Sequence, residues 1–245
     1  MTSEPSTAGR ARYVQGLFTR IAGHYDLMNR LMTGGQDRLW RQETIRRANL
    51  QPGSRLLDLG AGTGDLSYEA LRQQPACHPL AADFTLEMMR VGMGKARAGE
   101  GAVDQWAAAD ALALPFPDNT FDALVSGYLL RNVTDLQRSL KEQWRVLKPG
   151  GTWVSLDTTR PRRNFLSPFI TFHMHTVIPA LGRWLTGSAE AYRYLPESTE
   201  HFLRAEELAA RLASAGFSEI GFRRRMAGTM AIHWARKPLI SYNNR

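Results

Sequence analysis

Three glycines at alternate positions mark the part of the chain best suited to hold a ligand. Gly60, Gly62 and Gly64 lie in LLDLGAGTGD, directly after an apolar run that predicts a buried strand and before a predicted helix. Glycine lets the backbone approach a ligand without a clashing Cβ atom, and the helix N-terminus offers free N–H groups. The loop Asp58–Asp65, which includes Thr63, is therefore predicted to bind a ligand through its backbone.

Acidic residues follow three predicted strands. Asp58 begins the glycine loop, where its carboxylate could hold the amino end of an amino-acid-like ligand. Asp83 ends the next strand, where a carboxylate can accept both hydroxyls of a ribose, and Phe84 adjoins it. Asp110 follows the third strand beside Ala111, where an adenine edge could lie. Because ligands of open α/β sheets bind beyond the carboxyl ends of the strands, these groups predict one nucleoside-plus-amino-acid site.

The spacing of the loop separates this ligand from more common nucleotides. A dinucleotide loop has the pattern G-x-G-x-x-G, whereas position 65 is Asp, and no Gly-Lys-Ser/Thr of a P-loop is present. A nicotinamide oxidoreductase is therefore disfavoured. The ordered glycines and acids resemble the class I S-adenosylmethionine methyltransferases. That resemblance implies S-adenosyl-L-methionine as cofactor, S-adenosyl-L-homocysteine as product and no metal.

Strands and helices alternate around these residues. The candidate strands are Arg55–Leu59, Pro79–Ala82, Val103–Ala108, Phe121–Ser126, Thr152–Leu156, Ile220–Arg224 and Thr229–Ala235. Helical patterns cover Leu86–Ala98, Leu136–Leu147 and Ala205–Ala215. The alternation predicts an α/β fold with a mostly parallel seven-stranded sheet and helices on both faces. The resemblance above implies the Rossmann-like fold of class I methyltransferases.

One domain with an N-terminal cover and an inserted lid is expected over residues 13–245. Its parts are a flexible tail at 1–12, a helical cover at 13–50, a cofactor-binding core at 51–160, a substrate lid at 161–200, and a C-terminal helix with strands at 201–245.

The composition limits the remaining possibilities. The chain has a formal net charge of +8, but its charges are dispersed and no nucleic-acid motif accompanies them, so no nucleic-acid partner is predicted. The basic surface is either simply solvated or partly in contact with anionic lipid headgroups. The single cysteine, Cys77, excludes a multi-cysteine metal site, and His173 and His175 lack a third ligand. No secretory signal is visible, so a soluble, cytoplasmic protein is expected.

Several further segments resemble the ubiquinone/menaquinone biosynthesis C-methyltransferase family over roughly Val14–Ala235. They are HYDLMNRLMTGGQDRLWR, ALPFPDNTFD, LLRNVTD, AYRYLPES and AGTMAIHWA. The resemblance implies C-methylation of a prenylated quinol, with demethylmenaquinol as the leading acceptor and a ubiquinone precursor next. Three departures leave the acceptor open. Asp37 stands where the family has a histidine, and Asp157–Pro161 stands where it has EFSKP. Gly127, a predicted cofactor residue, stands where the family has a serine.

Arg131 is the main candidate for catalysis. An aromatic ring carbon is a poor nucleophile until an adjacent hydroxyl loses its proton, and a guanidinium could stabilise the phenolate or orient a water. The pKa of arginine is too high for it to act as the base. Asn132 could position it, and the resemblance implies that Tyr25 closes the cofactor pocket. The alternatives are a loop-tying salt bridge for Arg131 and a core position for Tyr25.

The substrate side is predicted from the lid and its flanks. Asp157, Tyr192 and Tyr194 are the polar candidates, and Phe169 and Phe172 are the apolar ones. The segment Phe165–Gly182 contains no Asp, Glu, Lys or Arg, and it is too short and broken by proline to span a bilayer. It either covers the core or forms a channel for a polyprenyl tail that contacts the membrane surface peripherally. The family resemblance favours the channel.

Two other functions stay open on the sequence alone. One is a methyltransferase acting on another small aromatic or lipid metabolite, and the other is a catalytically silent relative that binds the cofactor. The sequence leaves the choice between a monomer and a homodimer undecided.

Overall fold

Seven strands form one sheet in the computed structural model. They are β1 (Arg55–Leu59), β2 (His78–Asp83), β3 (Gln105–Ala108), β4 (Phe121–Gly127), β5 (Leu147–Thr158), β6 (Ser218–Arg225) and β7 (Met230–Arg236). The spatial order is β3-β2-β1-β4-β5-β7-β6. Strands β1 to β5 are parallel, whereas β7 runs antiparallel between β5 and β6. The strand order reverses between β1 and β4, which is where a ligand crevice forms in such sheets.

Seven α-helices whose bounds lie within the described residues accompany the sheet. They are α1 (Thr7–Ile21), α2 (Tyr25–Met32), α3 (Asp37–Ala48), α4 (Asp65–Gln73), α5 (Leu86–Lys95), α6 (Leu136–Val146) and α7 (Ala205–Ser214). The described residues are 7–95, 102–160, 172, 176–177, 180, 194 and 198–239. Local chemistry fixes several helix ends. The Asp135 side chain accepts a hydrogen bond from the Arg138 N–H at the start of α6, and Asn49 ends α3 with a φ of 52°.

Apolar residues cover both faces of the sheet. On one face, Leu57 and Leu124 pack with Leu140 of α6 and Leu208 of α7. On the other face, a second cluster joins the sheet to α3 and α4; it contains Trp40, Ile45, Leu56, Leu66, Val125 and Val154. Adjacent side chains of a strand point to opposite faces. The central strands are therefore apolar along their whole length, as expected for a sheet covered on both sides.

The predicted fold class is confirmed, but the N-terminal part differs from the prediction. Helix α1 begins at Thr7, so the predicted tail at residues 1–12 is too long. Val14 and Leu17 are buried, whereas the small and polar sequence before them carries no amphipathic signal. A short 3₁₀ turn, Ala22–His24, also divides the predicted helical cover, and α2 begins directly after it at Tyr25.

Most of the predicted lid, residues 161–200, lies outside the described residues, and so do Phe169, His173, His175 and Tyr192. Phe172 is described; it is helical and 61% exposed. Among the described residues, no helix has the length and apolar character needed to cross a lipid bilayer. The role of the lid stays a prediction.

Candidate active site

The glycine loop joins β1 to α4 at the strand-order reversal. Gly60 has a φ of 68°, and a Cβ atom there would lie 2.9 Å from Leu129 Cδ1, so only glycine fits without displacement. The Gly60 N–H donates to the Ala82 carbonyl (2.8 Å), which fixes the loop to the end of β2. Gly64, with a φ of 81°, immediately precedes α4. The loop therefore presents its backbone and the start of α4 to the crevice.

Asp58 is fully buried at the start of this loop. Its Oδ2 accepts hydrogen bonds from the Ser67 N–H (3.0 Å) and the Ser67 hydroxyl (2.8 Å). Its Oδ1 has no hydrogen-bond partner among the described residues. Burial raises the pKa of Asp58 to about 7. A buried carboxylate oxygen without a partner is costly, so this atom is suited to accept a hydrogen bond from a bound ammonium group.

Asp83 is held by backbone N–H groups at the end of β2. Its Oδ2 accepts from Gly62 and its Oδ1 from Thr85, each at 2.7 Å. Burial raises the pKa of Asp83, and these hydrogen bonds oppose the rise. Asp83 lines the larger of the two cavities at the loop. A carboxylate oriented in this way retains acceptor capacity for the two hydroxyls of a ribose.

The larger cavity has the apolar and polar walls that a nucleoside requires. It has a volume of about 140 Å³. Phe84, Met88, Ala111 and Leu112 contribute apolar surface, and Asp110 lies at the same wall with Oδ1 accepting from the Leu112 N–H (2.9 Å). Every predicted cofactor residue lies on one or both cavities or within the loop. The cavity-lining members are Asp58, Gly60, Gly62, Thr63, Asp83, Phe84, Asp110, Ala111 and Gly127.

Arg131 lies in a buried ion pair beyond the end of β4. Its side chain is 3% exposed, and its Nη1 lies 2.8 Å from Asp157 Oδ1. Asp157 Oδ2 also accepts from the Leu130 N–H (2.7 Å). Burial alone would lower the pKa of Arg131, but Asp157 raises it, so the guanidinium stays charged. Its Nε has no partner among the described residues. The sequence placed Asp157 against the substrate, whereas the structure places it against Arg131.

Asn132 connects the end of β4 to the segment after the lid. Its Nδ2 donates to the Tyr128 carbonyl (2.9 Å), and its Oδ1 accepts from the Tyr194 hydroxyl (3.0 Å). Asn132 also lines the larger cavity. Tyr194 therefore has a polar contact with a predicted catalytic residue, and its contact with the substrate stays a prediction.

Tyr25 begins α2 and lines both cavities. Its ring packs edge-on against Phe18 of α1, with centroids 5.8 Å apart. Burial raises the pKa of Tyr25, and the nearby charge of Arg131 opposes the rise. Tyr25 thus covers the cofactor crevice from the N-terminal side and approaches Arg131.

The N-terminal cover is tied to the glycine loop by charged groups. Thr63 Oγ1 donates to Asp26 Oδ1 (2.7 Å). Lys95 lies 2.8 Å from Asp26 Oδ2 and 2.5 Å from Asp65 Oδ1. The Gln15 side chain donates to the Phe84 carbonyl (3.0 Å) on the far side of the cavity. The cover is therefore bonded to the cofactor loop and to the end of β2.

Two residues of the site were not predicted. Arg41 lies in the segment HYDLMNRLMTGGQDRLWR and lines the smaller cavity. Tyr128 lines both cavities with a φ of 60°, which is uncommon for an aromatic residue. An arginine directly after the buried Trp40 was an available signal for Arg41. Nothing in the sequence signals the backbone conformation of Tyr128.

His233 lies outside the site. Its Nε2 lies 2.9 Å from the Ala205 carbonyl, and burial lowers the pKa of His233 to about 4. His233 is therefore a buried, neutral residue of the sheet. Among the described residues, no cluster of histidine, cysteine and acidic side chains could hold a metal ion.

Three features define a class I S-adenosylmethionine-dependent methyltransferase. They are the antiparallel β7 beside a parallel sheet, the glycine loop, and the acids at the strand ends. The fold is shared with an S-adenosylmethionine-dependent methyltransferase from Thermotoga maritima, with a TM-score of 0.62 at 18% identity over 91% of this chain and 99% of that one. The model of the ubiE/COQ5 methyltransferase family matches residues 6–237, and the chain belongs to this family.

Curated relatives agree along nearly their whole length. The chain is 44% identical, over 91% of its own length and 90% of the relative's, to the ubiquinone/menaquinone biosynthesis C-methyltransferase UbiE of Desulfotalea psychrophila. It is 42% identical, over 94% and 95% respectively, to the demethylmenaquinone methyltransferase of Roseiflexus castenholzii. The residues of the site fit the cofactor of this class, because Asp58 Oδ1 lacks a partner in the described part of the chain and the loop leaves no room for a Cβ atom at Gly60.

Proposed function

We propose that this enzyme methylates a ring carbon of a prenylated quinol, with demethylmenaquinol as the leading acceptor and a ubiquinone precursor next. The relatives described above, whose names specify this chemistry, support the choice of acceptor. The observation that carries the proposal is the buried, charged guanidinium of Arg131, whose Nε is unpartnered among the described residues. Arg131 does not line either cavity itself, but its guanidinium lies 5.3 Å from the centroid of the Tyr128 ring, and Tyr128 lines both. A fixed cation at that position suits an acceptor that becomes a phenolate.

The chain's own residues have separate tasks in this proposal. S-adenosylmethionine, when bound, supplies an electrophilic methyl group on a sulfonium centre. Arg131 favours the phenolate form of the quinol, whose hydroxyl proton passes to water, and the ring carbon gains nucleophilicity. Asp157 keeps the guanidinium charged and in place, and Asn132 and Tyr194 fix the neighbouring wall. Tyr25 excludes water from the crevice, which strengthens these electrostatic interactions.

Transfer of label from S-adenosylmethionine tests this proposal. The purified enzyme is incubated with methyl-labelled cofactor and a panel of chemically reduced quinols, each with and without its ring methyl group. We expect label in the lipid extract only with the demethylated acceptors. Label on a small aromatic metabolite or on another lipid would support the alternative acceptor. Absence of label from every acceptor, with S-adenosylhomocysteine still bound, would indicate a catalytically silent relative.

We also propose that the enzyme works at the cytoplasmic face of a membrane, where such an acceptor resides. A basic cleft supports this part of the proposal; it is lined by Leu39, Glu43, Arg46, Arg47, Arg223 and Arg225. Four arginines outnumber one glutamate there, and Leu39 is 63% exposed. Arg225 pairs in register with Met230, which in turn pairs with Thr158 at the carboxyl end of β5. The cleft therefore lies near the sheet edge from which the predicted lid departs.

Vesicle sedimentation tests the membrane contact. The double variant Arg46→Ser/Arg223→Ser should weaken binding to phosphatidylglycerol vesicles by about tenfold or more, because each basic residue near an anionic surface contributes about 1 kcal/mol. Arg211→Ser, an exposed arginine of α7, is the matched control. The variants Phe169→Ser and Phe172→Ser should weaken use of long-tailed acceptors. Equal binding of all variants to anionic and to phosphatidylcholine vesicles would contradict the proposal.

A further inference from the structure

The smaller cavity behind the glycine loop holds two buried polar atoms that lack partners among the described residues. One is Asp58 Oδ1 and the other is the hydroxyl of Tyr128. Burial raises the pKa of the Tyr128 hydroxyl, so it stays protonated and is a donor. Native structures rarely leave a buried donor and a buried acceptor unsatisfied in one cavity. A ligand that carries an ammonium group and an anionic oxygen would satisfy both atoms, since the ammonium would donate to Asp58 and the oxygen would accept from Tyr128.

Arg41 is the cation among the described residues that line this cavity. Its side chain is 11% exposed, and its Nη1 contacts Asp37 Oδ2 (2.5 Å) and Asp65 Oδ2 (2.9 Å). Asp37 is itself held by the Thr33 hydroxyl, which donates to Oδ1 (3.1 Å). Both ion pairs use Nη1, so the other donors of this planar group remain for a third carboxylate.

The backbone at Tyr128 directs its side chain into the same cavity. Its φ of 60° departs from the extended conformation of β4. The conformation is held at both ends, because the Tyr128 N–H donates to the Leu156 carbonyl (2.7 Å) and the Tyr128 carbonyl accepts from Asn132 Nδ2 (2.9 Å). Strained residues persist where the surroundings fix them, and they cluster at ligand sites.

We infer that Arg41 and Tyr128 form the subsite for the methionine carboxylate of the cofactor, with Asp58 taking the ammonium group. Both groups are attached to the same carbon atom, so a carboxylate whose neighbouring ammonium reaches Asp58 must lie in this cavity. The charge of Arg41 and the hydroxyl of Tyr128 are the donors there that suit it. The subsite would make the enzyme selective for the intact amino-acid end and would reject a decarboxylated cofactor. This inference rests on the cofactor and not on the proposed quinol.

Calorimetric binding of two matched ligands tests the subsite without turnover. The ligands are S-adenosylhomocysteine and its decarboxylated analogue, which keeps the amine and lacks the carboxylate. We expect Arg41→Met to weaken S-adenosylhomocysteine about tenfold to a hundredfold, and Tyr128→Phe about threefold to tenfold, because charge-assisted hydrogen bonds are the stronger ones. Both variants should bind the decarboxylated analogue within about threefold of the unaltered enzyme, so their selectivity is lost.

Three controls keep the result decisive. Arg38→Met changes an exposed arginine of the same helix and should alter neither affinity. Binding of 5′-methylthioadenosine, which lacks the whole amino-acid end, reports whether each variant retains a folded nucleoside site. If Arg41→Met does not fold because Asp37 loses its partner, Arg41→Lys and Tyr128→Phe decide the question. Equal loss of both ligands, or unchanged selectivity in the folded variants, would overturn the inference.

Discussion

The cofactor side and the acceptor side of this site are held in different ways. On the cofactor side, the acids accept hydrogen bonds from backbone N–H groups. Asp83, for example, accepts from Thr85, two residues further along the chain, and from Gly62, which follows the neighbouring strand β1. On the acceptor side, side chains hold other side chains that are distant in sequence, as in the pairs Arg131–Asp157 and Asn132–Tyr194. The acids of the first side rely mainly on backbone groups of the glycine loop and the strand ends, whereas the second side depends on side chains that the assembled sheet and the segment after the lid bring together.

The largest effect should come from breaking the acceptor side. We expect Arg131→Met to lower turnover by about a hundredfold to a thousandfold, since the phenolate loses its cation. Removing one partner of a buried pair also destabilises the fold by about 3–5 kcal/mol. Affinity for S-adenosylhomocysteine, measured by calorimetry, should stay within about threefold. A parallel loss of cofactor affinity would show that the two sides are not separable, and Arg131→Lys supplies a variant that retains the charge.

The next effect concerns the cofactor side. Asp58→Asn should weaken S-adenosylhomocysteine by about a hundredfold, because the amide no longer supplies a charged acceptor for the ammonium group. Burial raises the pKa of Asp58 to about 7, so ionising it opposes folding above its ordinary pKa. The melting temperature of the ligand-free variant at about pH 8 should therefore hold or rise by a few degrees. Falling stability together with retained affinity would contradict this assignment.

A smaller effect should appear in the pH dependence of binding. The ammonium group favours ionised Asp58, whose pKa without ligand is about 7, so binding below that pH must release a proton. Affinity for S-adenosylhomocysteine should fall by up to about tenfold for each pH unit below 7 and stay level between about pH 7 and pH 8. Calorimetry in buffers of different ionisation enthalpy measures the released proton. Asp58→Asn is the control and should give a flat profile over this range.

The smallest effect should follow Tyr194→Phe. The change removes only the hydroxyl that donates to Asn132 Oδ1. A single neutral hydrogen bond contributes about 0.5–1.5 kcal/mol, so the KM for the quinol should rise by about twofold to tenfold. Cofactor affinity should not change. An unaltered KM would show that the contact between Tyr194 and Asn132 has no part in acceptor binding.

This contrast also explains what the sequence could predict. The positions of Asp83 and Asp110 at strand ends could be predicted, because a strand end is indicated by an apolar run that stops at a polar residue. The pairing of Asp157 with Arg131 was not predicted, although β4 and β5 are adjacent and parallel, so that their carboxyl ends bring the two residues together. The conformation of Tyr128 has no local signature. It depends on the Leu156 carbonyl of the next strand, which only the folded sheet brings near.

The ion pairs between the cover and the glycine loop have a kinetic consequence. Lys95 joins Asp26 of the cover to Asp65 at the start of α4, and the cover residues Val14, Gln15 and Phe18 line the cofactor cavity. Spent cofactor must leave past this cover, so the pairs would open and re-form once in each catalytic cycle. Salt screens such partly exposed charges. Dissociation of S-adenosylhomocysteine should then become faster as ionic strength rises. The residence time of the product on the enzyme would therefore depend on the salt concentration.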